Sequence, residues 1–333
     1  MSAHVAVVGV TGAVGQEFLR VLAERNFPMK SLKLLASARS AGKTVEFAGT
    51  SHVIEELTAA SFAGVEIALF SAGGSISKEF GPVAVKAGAV VIDNSSAYRM
   101  KDGVPLVVPE INANQIHKHN GLIANPNCST IIMNVPVWPL HQANRIRRII
   151  VSTYQAVSGA GAWGLYELEA QQKAFVEGGP IAKEKFPHQI VNNLFSHNTP
   201  INESGYNEEE LKMSNETRKI FGEPKLMVTA TCIRVPIPRA HCESINLEFT
   251  QPMTPETVRR ILSNAPGVKI VDDAASNHFP MPVEASDQDL ILVGRIRQDM
   301  SRDDGRGIEM FVSGDQIRKG AATNAVQIAE KLL

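Results

Sequence analysis

The chain of 333 residues predicts an α/β protein in two parts. The first is an N-terminal parallel sheet covered by helices, and the second is an α+β part on a large mixed, mostly antiparallel sheet. Three observations carry this. Short β-branched runs alternate with helical periodicity in the first part, the pattern of a helix-covered parallel sheet. A strand, a glycine turn and a helix start open the chain at Val5-Ala6-Val7-Val8-Gly9-Val10-Thr11-Gly12-Ala13-Val14-Gly15. From about residue 147 the strand candidates lengthen and alternate apolar with polar residues, which suits antiparallel pairing.

In order, strands are expected at 5–8, 31–36, 66–71, 90–93 and 122–124, with helices at 14–24 and 77–86 between them. A helix over 130–141 follows. Longer strands are expected at 149–155, 226–235, 244–250, 290–298 and 307–312, the last two joined through the hairpin signal Asp303-Asp304-Gly305-Arg306-Gly307. Helices at 165–175 and 207–221 interrupt them. Residues 178–207, with Pro180, Pro187, Pro200 and Gly205, read as a long irregular loop, and loops of that length tend to be functional or mobile. Residues 316–333 are apolar at helical spacing. The expected domains are 1–127, with a C-terminal helix over 315–333 packing back on it, and 128–314.

The bulk numbers exclude several classes. With 44% hydrophobic and 20% charged residues the composition is that of an ordinary globular protein. A net charge of -1 gives no electrostatic case for nucleic acid or an anionic membrane. No apolar run approaches the roughly 18 to 20 residues of a membrane span, and no basic segment precedes the first strand, so no signal peptide is expected. Cys128, Cys232 and Cys242 cannot all pair and lack metal-ligand spacing, which points to a reducing, cytoplasmic setting, no metal and a free thiol.

Glycines in the opening turn let the backbone bend tightly and approach a pyrophosphate resting on the helix N-terminus. The spacing is G-x-x-G-x-x-G, and its place between an apolar strand and a helix favours a dinucleotide over a purely structural turn. After the second strand, Ser37-Ala38-Arg39-Ser40 with Lys43 offers a cation and hydroxyls where an NAD enzyme usually places a carboxylate. These suit a 2′-phosphate, so NADP is favoured; a solvated basic loop is the alternative.

Asn125-Pro126-Asn127-Cys128-Ser129-Thr130 puts one cysteine behind a proline-containing turn and ahead of a helix. Unpaired backbone N–H groups and the positive end of the helix dipole both favour thiolate there. With an ordinary pKa near 8.5 only about 3% of a thiol is ionised at pH 7, so such a setting raises the nucleophile supply roughly tenfold. The hexapeptide alone also fits a buried structural cysteine.

A thiolate beside a nicotinamide implies acyl chemistry, which needs a proton shuttle and oxyanion donors. Thr153 to Gly161 ends a strand in a glycine-rich turn that can present the Gln155 amide and backbone N–H groups. Arg234-Val235-Pro236-Ile237-Pro238-Arg239-Ala240-His241 joins two strands, and its prolines stiffen the turn between Arg234 and His241. Singly, His241 also reads as a core or surface histidine.

Five motifs, Gly12-Ala13-Val14-Gly15, Asn127-Cys128-Ser129-Thr130, Gln155 with Ser158-Gly159, Arg234 through His241, and Gly314-Asp315-Gln316, run from one end of the chain to the other. Together they resemble the aspartate-semialdehyde dehydrogenase family. The resemblance implies a Rossmann-like NADP-binding domain, a catalytic and dimerisation domain, and a homodimer. The implied reaction is NADPH-dependent conversion of 4-phospho-L-aspartate to L-aspartate 4-semialdehyde and phosphate, in lysine (diaminopimelate), threonine, methionine and isoleucine biosynthesis.

Carried over position by position, the resemblance makes Cys128 the acyl-forming nucleophile, His241 the acid/base and Gln155 the orienting amide. Arg234 would bind the substrate carboxylate, Arg99 and Lys212 the phosphate, and Glu209 the α-ammonium, with Asn127 beside them. Cofactor contacts fall on Gly9, Thr11, Gly12, Ala13 and Val14, on Ser37, Arg39, Ser40 and Ser71, and on Ser158, Gly159 and Gln316. Glu209 and Lys212 lie three apart on an expected helix and share a face, although Glu208-Glu209-Glu210 also reads as a solvated charge run. Rival readings are N-acetyl-γ-glutamyl-phosphate reductase, whose cysteine follows a glycine, a thiol acyltransferase without redox chemistry, and a nucleotide-sensing binding protein.

Overall fold

The computed structural model describes residues 2–333. The chain divides into two compact units, Met1–Asn127 with Ala321–Leu333, and Cys128–Gly320. The first unit contains β1 (Ala3–Val8), α1 (Ala13–Glu24), β2 (Met29–Ala36), β3 (Thr44–Phe47), β4 (Thr50–Glu56), β5 (Ile67–Phe70), α2 (Gly74–Lys86), β6 (Val90–Asp93), α3 (Pro109–Asn112) and β7 (Leu122–Ala124). Its strands form one sheet in the order β3-β4-β2-β1-β5-β6-β7, parallel except for the β3–β4 hairpin. β1 lies where the strand order reverses, between β2 and β5. Open α/β sheets present a crevice at that point, beyond the carboxyl ends of the strands. Val5, Val7, Leu34 and Leu69 from the strands bury against Phe18 and Leu22 of α1.

The β3–β4 hairpin is absent from the sequence expectation. Its two turn residues, Ala48 and Gly49, are both left-handed, with φ of 50° and 78°. Such turns usually announce themselves as Asn-Gly or Asp-Gly, and alanine hides this one.

The second unit contains α4 (Cys128–Ala143), β8 (Ile146–Gln155), α5 (Ala162–Glu177), β9 (Phe195–Ser196), α6 (Glu208–Phe221), β10 (Met227–Arg234), β11 (His241–Phe249), α7 (Pro255–Leu262), β12 (Val268–Ile270), α8 (Pro282–Ala285), β13 (Ile291–Gln298) and β14 (Gly307–Gly314). Its sheet runs β12-β13-β14-β11-β8-β10-β9. Pairing is antiparallel except for β12–β13 and β8–β10, giving the mixed, mostly antiparallel sheet the alternation predicts. α4 is apolar and buried almost all round, as a core helix is, and carries Pro136 and Pro139 within it.

α9 (Thr323–Glu330) returns to the first unit, where Ala325, Val326, Ile328 and Ala329 join its core. Residues 315–320, expected with that helix, stand with the second unit instead. Asp315 accepts from Arg239 Nε at 2.6 Å and from the Asp287 N–H at 2.7 Å. Gly320 backs onto Cys128 so closely that a Cβ there would stand 3.0 Å from the cysteine Cβ.

The segment 178–207 is irregular but tethered. The Glu167 carboxylate of α5 accepts the N–H of Glu184 at 3.1 Å, and those of Lys185 and Phe186. Gln171 Oε1 accepts from Ile190 N at 2.9 Å and Val191 N at 3.1 Å.

Candidate active site

In the first unit the glycine turn follows β1. Gly9 takes φ 85°, and a Cβ there would lie 2.3 Å from the Ser71 carbonyl oxygen at the end of β5. A Cβ on Gly15 would lie 2.2 Å from Gly9 O, so α1 starts against the turn itself. Gly12 caps α1 without a side-chain bond, and the first turn carries no acid. Its leading N–H groups therefore suit an anion, and the residues present fit a dinucleotide pyrophosphate. Thr11 and Gly12 are exposed there, with Ala13 and Val14 half-buried. Ser37 and Arg39 are exposed beyond β2, while Ser40 is buried and donates its N–H to Ser37 O at 2.8 Å.

Arg99 is buried in the same unit, donating from Nε to Asn125 O at 2.9 Å and from Nη2 to Asn94 O at 2.8 Å. Asn125 is fixed in turn by Asn324, whose Nδ2 reaches Asn125 Oδ1 at 2.6 Å. Asn127 is buried two residues on.

In the second unit the strand ends gather side chains far apart in sequence. β8 ends at Gln155 and β10 at Arg234, and these two are register partners. β11 begins at His241, so the turn 235–240 returns the chain to the same end of the sheet. Cys128 is the first residue of α4, two residues before the expected helix start. Its Sγ lies 3.6 Å from His241 Nε2. The Ala156 N–H donates to His241 Nδ1 at 3.0 Å, so the neutral ring carries its proton on Nε2, facing the sulfur. Burial, and secondarily the Arg234 charge, hold the His241 pKa well below its ordinary value.

Arg234 is buried and donates from Nη1 to Ala156 O at 2.6 Å and from Nη2 to His197 Nε2 at 2.8 Å. Its Nε is buried without a partner. Gln155 Nε2 donates to Ser129 Oγ at 2.8 Å and to Glu209 Oε1 at 3.0 Å, and its Oε1 is left unpaired. Lys212 Nζ meets Glu209 Oε2 at 3.2 Å.

The three consecutive glutamates separate cleanly. Glu208 is exposed. Glu210 closes a capping box with Asn207, each accepting the other's N–H at 3.0 Å, and also accepts from Cys232 N. Only Glu209 reaches Gln155 and Lys212. Gly159 lies against Arg234 and His241, where a Cβ would meet Nη1 and Cε1 at 3.2 Å each. Ser158 Oγ donates to Pro238 O at 2.5 Å and is bonded by Gln316 Nε2. Gln316 Oε1 accepts from Ala240 N at 2.8 Å.

His197, beside Arg234, was not singled out by the sequence. The only signal for it is its place in the long loop 178–207. Cys232 and Cys242 are buried free thiols, and burial pushes the Cys242 pKa up to about 11. Among the described residues no helix is long and apolar enough to cross a membrane.

Two family models cover most of the chain. That of the semialdehyde dehydrogenase NAD binding domain matches residues 4–119, and that of the semialdehyde dehydrogenase dimerisation domain matches residues 137–319. Aspartate-semialdehyde dehydrogenase of Synechocystis sp. is 53% identical over 99% of this chain and 97% of its own length. That of Bacillus subtilis is 48% identical, over 99% and 97%. The crystal structure of aspartate semialdehyde dehydrogenase II complexed with ASA from Vibrio cholerae superposes with a TM-score of 0.97 at 44% identity, over 100% of this chain and 98% of that one. The chain is therefore an oxidoreductase that belongs to the aspartate-semialdehyde dehydrogenase family.

Proposed function

We propose that the protein converts 4-phospho-L-aspartate, with NADPH, to L-aspartate 4-semialdehyde and phosphate through a thioester on Cys128. The place is the biosynthesis of lysine through diaminopimelate, and of threonine, methionine and isoleucine. The observation that carries this reading is the Cys128–His241 pair, 3.6 Å apart, in one unit with Gln155, Arg234, Glu209 and Lys212. Aspartyl phosphate carries a carboxylate, an ammonium and a phosphate, and these call for separate cations and one anion.

In this reading Cys128 reacts as its thiolate: the sulfur attacks the β-carbonyl carbon, a C–S bond forms, and phosphate leaves with the electrons of the broken C–O bond. Arg234 holds the α-carboxylate, Glu209 the α-ammonium, and Arg99 and Lys212 the phosphate, with Asn127 next to the nucleophile. Gln155 and nearby N–H groups steady the carbonyl oxyanion, an effect typically worth about 3 kcal/mol per donor. His241 fills the acid/base position, presenting its Nε2–H first to the sulfur and then to the reacting oxygen. NADPH, when bound, supplies the hydride that reduces the thioester carbon. The C–S bond then breaks, Cys128 leaves as thiolate, and the aldehyde is released.

The cofactor reading assigns Gly9, Thr11, Gly12, Ala13 and Val14 to the pyrophosphate, with Ser71 beside Gly9. Ser37, Arg39 and Ser40 take the 2′-phosphate, which is the argument for NADP over NAD, and Ser158, Gly159 and Gln316 complete the set. A homodimer and a cytoplasmic setting go with this reading, the first supported by the match to a dimerisation domain. The Vibrio cholerae relative solved with ASA supports a small-molecule substrate.

The test is NADPH formation from aspartate semialdehyde, run with and without phosphate. Production that depends on phosphate is the expected result. Turnover indifferent to phosphate, or obtained only with N-acetylglutamate semialdehyde, sinks the reading.

A further inference from the structure

We propose that His197, acting with Thr199, is a positioning residue that fixes the spacing between Arg234 and Glu209 and so sets how the α-amino-acid end of the substrate is read. The inference rests on the assignment of those two residues to the substrate's carboxylate and ammonium. An α-carboxylate and an α-ammonium share one carbon, so the cation and anion that recognise them must be held at a fixed separation. Arg234 is already held through Nη1 by Ala156 O at 2.6 Å, but that bond does not tie the guanidinium to Glu209.

One chain of contacts joins the two. Arg234 Nη2 donates to His197 Nε2 at 2.8 Å. With Nε2 accepting, the neutral ring carries its proton on Nδ1, which lies 3.3 Å from Thr199 Oγ1. That hydroxyl oxygen accepts the Glu209 N–H, also at 3.3 Å, in the first turn of α6. A second contact comes from the same segment: the Arg234 guanidinium lies 5.9 Å from the Phe186 ring centroid. Phe186 is itself buried with Val157, Leu168 and Ile190. The segment 178–207 thus reaches the arginine at two points, and Glu167 and Gln171 tether it to α5. Burial, with the nearby Arg234 and Lys212 charges, lowers the His197 pKa to about 4. At neutral pH the ring therefore stays an uncharged acceptor.

The test uses the full-length protein with NADP and phosphate. His197→Ala, His197→Gln and Thr199→Val are compared on aspartate semialdehyde and on succinate semialdehyde, which keeps a carboxylate and lacks the ammonium. A hydrogen bond to a charged group is worth about 1.5 to 3 kcal/mol, so His197→Ala is expected to raise KM for aspartate semialdehyde about tenfold or more. Its kcat should change by less than about twofold, as for a purely binding interaction. Preference over succinate semialdehyde should narrow in parallel. His197→Gln, whose amide oxygen can accept from Arg234, should recover most of the loss, and Thr199→Val should show a smaller loss of the same kind. Unchanged KM and preference in His197→Ala overturn the role. So does a loss of kcat and thermal stability that glutamine fails to restore, since that marks a structural residue. A wild type without phosphate-dependent turnover overturns the function itself, whereas an active wild type with an indifferent His197→Ala overturns the positioning role alone.

Discussion

At the scale of single residues, the proposed nucleophile is defined by what surrounds one sulfur. Cys128 opens α4, His241 Nε2 faces it at 3.6 Å, and Gly320 leaves room behind it. Cys128→Ala is expected to lower turnover by at least about a thousandfold, because removing a nucleophile disables the whole unit that acts with it. Dinucleotide binding, followed by fluorescence quenching, should persist; substantial remaining turnover would remove the thioester. Glu243 supports a different prediction. It is fully buried on β11, two residues from His241, and neither carboxyl oxygen has a partner. Burial raises its pKa well above the ordinary value, so the folded protein holds it as a neutral acid. The folded state then keeps its proton to higher pH than the unfolded state does. Stability attributable to this group is complete below pH of about 4.5 and falls by roughly 1.4 kcal/mol per pH unit above it, until the folded pKa is reached. Glu243→Gln removes that dependence, so its melting temperature relative to wild type should be higher at pH 8 than at pH 5. A difference independent of pH would show the carboxyl is not held neutral.

At the scale of elements, what the sequence revealed depended on whether an element carried its own signal. The Gln155, Arg234 and His241 positions stood out only through the motifs that carry the family resemblance; by itself the histidine read as a core or surface residue, and its strand, which begins at His241, was expected from residue 244. His197 did not stand out, because a lone histidine in an irregular loop looks like any other, and its meaning comes from Arg234 thirty-seven residues away. The β3–β4 hairpin lacked its usual asparagine or aspartate. α7, with Thr254 capping Thr257 and Pro255 at its first position, carried a readable start but spans only eight residues. β12 has three residues and needs β13 to exist as a strand. The loop 178–207 shows how an element can be held without secondary structure. Glu167 accepts three consecutive N–H groups there, and hydrogen bonds to charged groups are worth about 1.5 to 3 kcal/mol. Glu167→Ala should therefore leave the sheets intact and free this segment. Limited proteolysis should cut between 178 and 207 at a rate at least about tenfold above wild type, and an unchanged cleavage pattern would place the tether elsewhere.

At the scale of the whole molecule, the question is what covers the second sheet. Side chains alternate across it. On β8, β10 and β11 the buried set Thr153, Gln155, Cys232, Arg234, His241 and Glu243 lies on one side, the side that carries the residues proposed to act on the substrate. Tyr154, Ile233 and Ser244 alternate with them and are only half-buried, and Phe311 of β14 pairs with Tyr154 at 6.2 Å between ring centroids. A seven-stranded sheet with aromatic and branched side chains on its second face has apolar area to lose to a partner. The match of residues 137–319 to a dimerisation domain makes a second copy of this chain the natural one. The protein is expected to sediment at twice its 36.0 kDa chain mass. Phe311→Glu places a charge in the middle of that face, and an unpaired buried charge is among the costliest changes an interface can take. The variant should sediment as a 36.0 kDa monomer at micromolar concentration while keeping its far-ultraviolet circular dichroism. A Phe311→Glu protein that remains dimeric would move the interface off this face of the sheet.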